Sequence, residues 1–169
     1  MSLFKFHDTN YITYPNHPET VASADTYNGN QFKLVGDTAT VFANATEVKT
    51  GNGYIMFNII DKPETWNTDD YKVVSGQYIR AFRLKDLVGQ KLDMSSDLVT
   101  DTYSTVSVGD KFVGRSTADT TSTFKWKKDA ASDYNIYLEV MSKSTFGTFT
   151  SDGAGGTVAG GYVVIVRAL

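Results

Sequence analysis

No stretch of this chain carries apolar residues at i, i+3, i+4 and i+7 for more than about one or two helical turns. Short runs of aromatic and β-branched residues recur instead, each cut off by Gly, Pro, Asn or Asp within a few positions. That punctuation dictates an all-β fold, a small antiparallel barrel or sandwich in which helices serve only as short connectors. The strand-like runs are residues 31–35, 40–43, 53–60, 71–74, 77–84, 103–108, 111–113, 124–127, 134–141 and 161–167. Residues 103–108 and 111–113 read as a hairpin around Gly109-Asp110, and Ser75-Gly76 as a hairpin tip or bulge. The run after Gly53 is the most apolar of the early ones and stops at Asp61-Lys62-Pro63, where a single helical turn begins at most.

Residues 77–92 hold the pattern that the rest is arranged around. Tyr78, Arg80, Phe82 and Leu84 alternate with Ile79, Ala81 and Arg83, so arginine falls on both sides of one strand and sits beside aromatic bulk on one of them. Such a strand suits a place between a core and a partner better than one between a core and water. Tyr78, Arg80, Phe82 and Arg83 are therefore the candidate partner-binding residues of the body. A local echo follows, since Val88-Gly89-Gln90-Lys91-Leu92 recurs as Val108-Gly109-Asp110-Lys111-Phe112, with a partial copy at Val35-Gly36-Asp37. Glycine supplies the positive φ of a tight turn, and a recurring turn explains the echo without any ligand.

Residues 1–30 differ in kind. Pro15, Pro18 and the Asn28-Gly29-Asn30 cluster interrupt any period, while Phe4, Phe6, Tyr11, Ile12, Tyr14 and Tyr27 lie between them. Disordered leaders are poor in aromatic residues. The composition predicts an extended N-terminal arm over residues 1–30 that packs its rings on the body or on another subunit, with the β-body over 31–169. Phe4, Phe6, Tyr11, Ile12 and Tyr14 are its candidate partner-binding residues.

No constellation of catalytic groups stands out. The chain has no cysteine, which excludes thiolate metal sites and disulfides. His7 and His17 lie in the arm beside Asp8 and Glu19 and read as surface histidines. Asp93, Asp97 and Asp101 lack the Gly and terminal Glu of an EF-hand loop. Gly153-Ala154-Gly155-Gly156 leads into a strand, whereas a phosphate cradle opens a helix. Lys125-Trp126-Lys127-Lys128 is the best hint of nucleic-acid contact, but the net charge of -3 opposes bulk attraction to phosphate. Trp66, Tyr71, Tyr134 and Tyr137 are candidate platforms for a sugar ring. No cofactor is implied. The first residues have no apolar run of the kind a signal peptide needs, and no segment approaches the ~18 apolar residues of a membrane span.

The aromatic N-terminal segment, the cysteine-free composition and the Thr/Ser/Gly-rich loops between short strands carry a resemblance. It rests on residues 53–63, on residues 76–84, on the Val108-Gly109-Asp110-Lys111 turn, and on the closing Gly160-Gly161-Tyr162-Val163-Val164-Ile165-Val166-Arg167-Ala168-Leu169. In these the chain resembles the capsid decoration (head-stabilising, or cement) proteins of tailed bacteriophages. The resemblance implies a non-enzymatic virion protein, assembled in the host cytoplasm and seated on the outer face of a capsid. Its partners would be the major capsid protein and neighbouring copies of itself. No catalytic residue carries over. A carbohydrate-binding module of a phage tail or adhesin is the alternative, and a single-strand nucleic-acid binder with an OB-like barrel comes third.

Overall fold

The structure is a computed structural model, and it describes residues 4–6, 16–58, 72–119, 124–147 and 158–169. Residues Asn16–Ala22 (β2), Gln31–Val35 (β4), Thr38–Thr40 (β5), Tyr54–Met56 (β6) and Tyr78–Arg83 (β8) close a five-stranded barrel in the order β2-β5-β4-β6-β8. Its seams are antiparallel except β2–β5, where Val21 pairs with Thr38 and Ala22 with Ala39 in parallel. A barrel this narrow is filled by its own side chains. Phe32, Ala39, Met56, Ile79 and Ala81 meet inside it, and Phe124 closes against them.

A second layer is a six-stranded sheet. Phe4–Phe6 (β1), Lys91–Ser95 (β9), Lys111–Gly114 (β10), Trp126–Asp129 (β11), Ile136–Gly147 (β12) and Val158–Ala168 (β13) align in the order β1-β9-β13-β12-β10-β11. Thr26–Tyr27 (β3) and Lys72–Val73 (β7) form a separate two-stranded ribbon. The strand expected over residues 134–141 alternates where it forms β12, with Leu138 and Val140 buried on one face. These join Leu92, Met94, Phe112, Tyr162, Val164 and Val166 under the barrel wall, where Ile55, Phe82 and Leu84 meet them. This second core, lying between barrel and sheet, joins the two layers into one body.

The local connectors follow from their sequence. Asn44 caps Ala45–Lys49 (α1) by accepting from the Glu47 N–H, while the Glu47 carboxylate reaches back to the Ala43 N–H at 2.7 Å. Val48 packs this one-turn helix on Phe42, Val113 and Tyr134. The expected hairpin of residues 103–108 with 111–113 does not form. Tyr103–Thr105 is a 3-10 turn, and β10 pairs with β11 and β12 instead. Lys143 holds that turn by donating to the carbonyls of Tyr103 and Val106. The Ser75-Gly76 turn is present, but it joins β7 to β8 without pairing them, because β7 pairs with β3.

The repeated Val-Gly turn proves to be the same device used twice. Gly89 donates to the Val166 carbonyl at 2.8 Å, and Val166 donates to Gln90 at 3.0 Å. Gly109 donates to Val140 at 2.8 Å, and Val140 donates to Asp110 at 2.8 Å. The strand after each turn then runs along the strand it has gripped, pairing Lys91 with Ile165 and Lys111 with Glu139. Since Glu139 and Ile165 pair with each other, the two units are related by a local twofold at the sheet centre. The φ values of +88° and +89° at Gly89 and Gly109 explain the glycine in each copy.

The N-terminal segment corrects the division expected at residue 30. Residues 16–22 and 31–35 belong to the same barrel, so no boundary between arm and body falls there. β1 is an edge strand of the sheet, pairing Phe4 with Met94 and Phe6 with Leu92. Tyr11, Ile12 and Tyr14 lie outside the described residues.

Candidate functional site

β8 resolves the mixed pattern seen in its sequence. Ile79 and Ala81 point into the barrel, whereas Phe82 enters the core between barrel and sheet. Tyr78 and Arg80 are exposed, and Arg83 is half-buried. The partner that covers one half of the strand is therefore the chain's own sheet. Burial corrects the expectation for three residues: Phe82, Phe4 and Phe6 are core and offer no surface to another molecule. Phe6 is only 2% exposed and sits edge-on to Phe57 at 5.1 Å and Phe82 at 5.5 Å. Aromatic residues near a terminus signal burial, and the sequence alone does not distinguish burial in the same chain from burial in a neighbour.

The uncovered half of β8 belongs to a continuous surface. Val35 pairs with Thr38, Thr38 with Val21, and Val21 with Tyr78, so one outward-facing row crosses β4, β5, β2 and β8. Three inter-strand steps make it ~14 Å long. Val35 is 59% exposed and Tyr78 is 68% exposed, both high for apolar side chains on a sheet. Glu19, Val21, Asp37 and Tyr78 line a shallow cleft of about 570 Å³ along this row. The carboxylates of Glu19 and Asp37 face it with no partner among the described residues. Of these residues only Tyr78 was a sequence candidate. The Val35-Gly36-Asp37 echo was the available signal for the far end.

Main-chain bonds fix the row in place. The Val21 N–H donates to the Asp37 carbonyl at 2.7 Å, and the Ala22 N–H to Gln77 at 3.0 Å. Gly36 turns the β4–β5 hairpin at φ +60° with open space around it. On the other flank the Ser75 N–H donates to the Asp25 carboxylate, which also pairs with Lys72 at 2.9 Å. The Lys72 ammonium, helped by that Ser75 amide, holds the Asp25 carboxyl below its ordinary value. The turn carrying Val74 towards Tyr78 is thus anchored on both sides.

The other candidates are absorbed by the fold. Trp126 is 2% exposed, and its indole N–H donates to the Gly29 carbonyl at 2.8 Å, so it stacks on no base and no sugar. Lys127 pairs with Asp119 at 2.6 Å and Lys128 with Asp110 at 2.7 Å, which occupies two of the three lysines of the basic run. Tyr134 is buried, and Tyr137 lies under the Lys111 ammonium at 4.7 Å. Trp66, Tyr71 and His7 lie outside the described residues, as does the 153–156 glycine run. Asp101 accepts from the Lys128 N–H, and Asp97 from the Ser95 hydroxyl. Among the described residues no group of three His, Asp or Glu side chains is placed to hold a metal ion.

No family model matches this chain, and no curated protein or solved structure does either.

Proposed function

We propose that the chain is a non-enzymatic structural protein of a bacteriophage virion, decorating and stabilising the capsid through contacts of its β-body. The observation that supports this reading best is the Val35–Thr38–Val21–Tyr78 row. It places exposed apolar side chains on a rigid sheet, with Tyr78 as an aromatic anchor and Glu19 and Asp37 as a charged rim. Aromatic anchors within a polar rim are the usual anatomy of protein contacts. A capsid repeats its sites, so modest affinity per copy suffices to cover the particle, and contacts with neighbouring copies add to it. In this reading the partners are the major capsid protein and adjacent decorators, and the location is the capsid surface. The described acids fit a structural role. Glu47, Asp101, Asp110, Asp119 and Asp129 each accept from a main-chain amide.

Mass spectrometry of purified particles, with copy number counted against the major capsid protein, tests the reading. A stoichiometric presence supports it, and complete absence from particles refutes it. One observation favours a second reading, since an exposed tyrosine ring beside two carboxylates is also a platform for a sugar with its hydroxyls bonded to Glu19 and Asp37. Glycan-array binding by the native chain, abolished by Tyr78→Ala, would select that reading.

A further inference from the structure

The sequence contains two Asn-Gly pairs, Asn28-Gly29 and Asn52-Gly53. Before glycine, the main-chain nitrogen of the next residue can reach the asparagine side-chain carbonyl, because no side chain obstructs the approach. Whether it does so in a folded protein depends on what holds the two groups, and here the two pairs differ.

At Asn28 both are held. Its Nδ2 donates to the Asn58 carbonyl at 2.9 Å, and its Oδ1 accepts from the Asn58 N–H at 2.8 Å. The Gly29 N–H donates to Met56 at 2.8 Å, and Gly29 is pressed against Phe4 and Leu98. At Asn52 neither is held. Asn52 is exposed on the loop between α1 and β6, and its own N–H makes a long bond to the Thr50 hydroxyl at 3.4 Å. Among the described residues that is the only bond it makes, and its side-chain amide and the Gly53 N–H have no partner there.

We propose that Asn52 is a site of spontaneous covalent modification, converting to aspartate and isoaspartate in the folded protein while Asn28 stays an amide. The Gly53 nitrogen forms a bond to Cγ of Asn52, the Cγ–Nδ2 bond breaks, and the Gly53 proton leaves with the amine as ammonia. Water then opens the five-membered imide at either carbonyl. One opening restores the normal main chain with a new carboxylate, and the other routes the main chain through the side chain. The second product inserts a methylene just before Gly53. That residue has no slack, because its carbonyl accepts from Leu84 at 3.0 Å and a Cβ on it would lie 3.0 Å from Leu84 Cδ1. The isoaspartyl form therefore strains the entry to β6.

The test is peptide mapping of the purified full chain during incubation in mildly alkaline buffer at body temperature, native and in denaturant. In the native chain, acid accumulates at residue 52 at least about tenfold faster than at residue 28, whereas in denaturant the two rates converge. The Asn52→Gln variant loses the native charge heterogeneity. Equal native rates at the two sites, or an Asn52 that stays an amide while the denatured chain converts, would overturn the proposal.

Discussion

Replacing Phe6 by Ala separates a strand built into the body from a loose arm. Phe6 is 2% exposed and, among the described residues, packs against Phe57 at 5.1 Å, Phe82 at 5.5 Å and Phe4 at 6.0 Å. Truncating a buried phenylalanine costs ~3–5 kcal/mol, from lost transfer energy plus the cavity left behind. The cavity lies where barrel and sheet meet, so neither rigid layer collapses into it readily. In a domain of this size 1 kcal/mol moves Tm by ~2–4 °C, so a fall of roughly 6–20 °C is expected. Urea titration followed by tryptophan fluorescence measures the loss of free energy and a thermal scan the fall in Tm, with the buried Trp126 as a reporter of the same core. The midpoint should fall at constant slope, and Phe6→Leu should show a smaller loss. A loss below ~0.5 kcal/mol, as for a surface substitution, would refute the placement of β1 in the core.

Two glycine substitutions should destabilise for different reasons. A Cβ at Gly114 would lie 2.4 Å from Oε1 of the buried Gln31, whose Nε2 is tied to the Arg115 carbonyl, so Gly114→Ala should cost ~1–3 kcal/mol. Gly109→Ala meets no atom within 4 Å and should cost only the ~1–2 kcal/mol of its left-handed backbone; chemical denaturation compares the two. Burial alone would raise the Asp119 carboxyl, but the Lys127 ammonium and the Ser116 amide and hydroxyl outweigh it and hold the group below its ordinary value. A depressed carboxylate contributes stability that is complete above its unfolded value, near pH ~4, and lost as pH falls through the lower folded value. The difference in stability between native and Asp119→Asn proteins should therefore shrink across that acid window in a pH series of urea titrations. A difference independent of pH would contradict this.

Much of the architecture was legible in the sequence because strand alternation is local. The first half of β12 and the Lys125–Lys127 alternation follow from period two, β13 follows from its unbroken apolar run, and the glycines at 36, 76, 89 and 109 mark turns with positive φ. Pairing was not legible, because it depends on contacts far apart in sequence. Nothing local says that Lys111 should lie beside Glu139, or that Val21 should run parallel to Thr38. The same limit hid the site. β8 reads as a strand with two conflicting faces, and only its position over the sheet shows that Phe82 is core while Tyr78 is surface. The contact row joins four strands at one residue each, so no single segment displays it. Trp126 reads equally as a stacking platform or a core residue until Gly29 is found at its indole nitrogen.

Binding of the purified chain to undecorated capsids, native against Tyr78→Ser, tests the proposed role most directly. Tyr78 is exposed, so the variant should keep its stability within ~0.5 kcal/mol. Saturable binding by the native chain and a loss of about tenfold or more for the variant are expected. A native chain that fails to bind capsids, or a variant that binds as tightly as the native one, would contradict the proposed role.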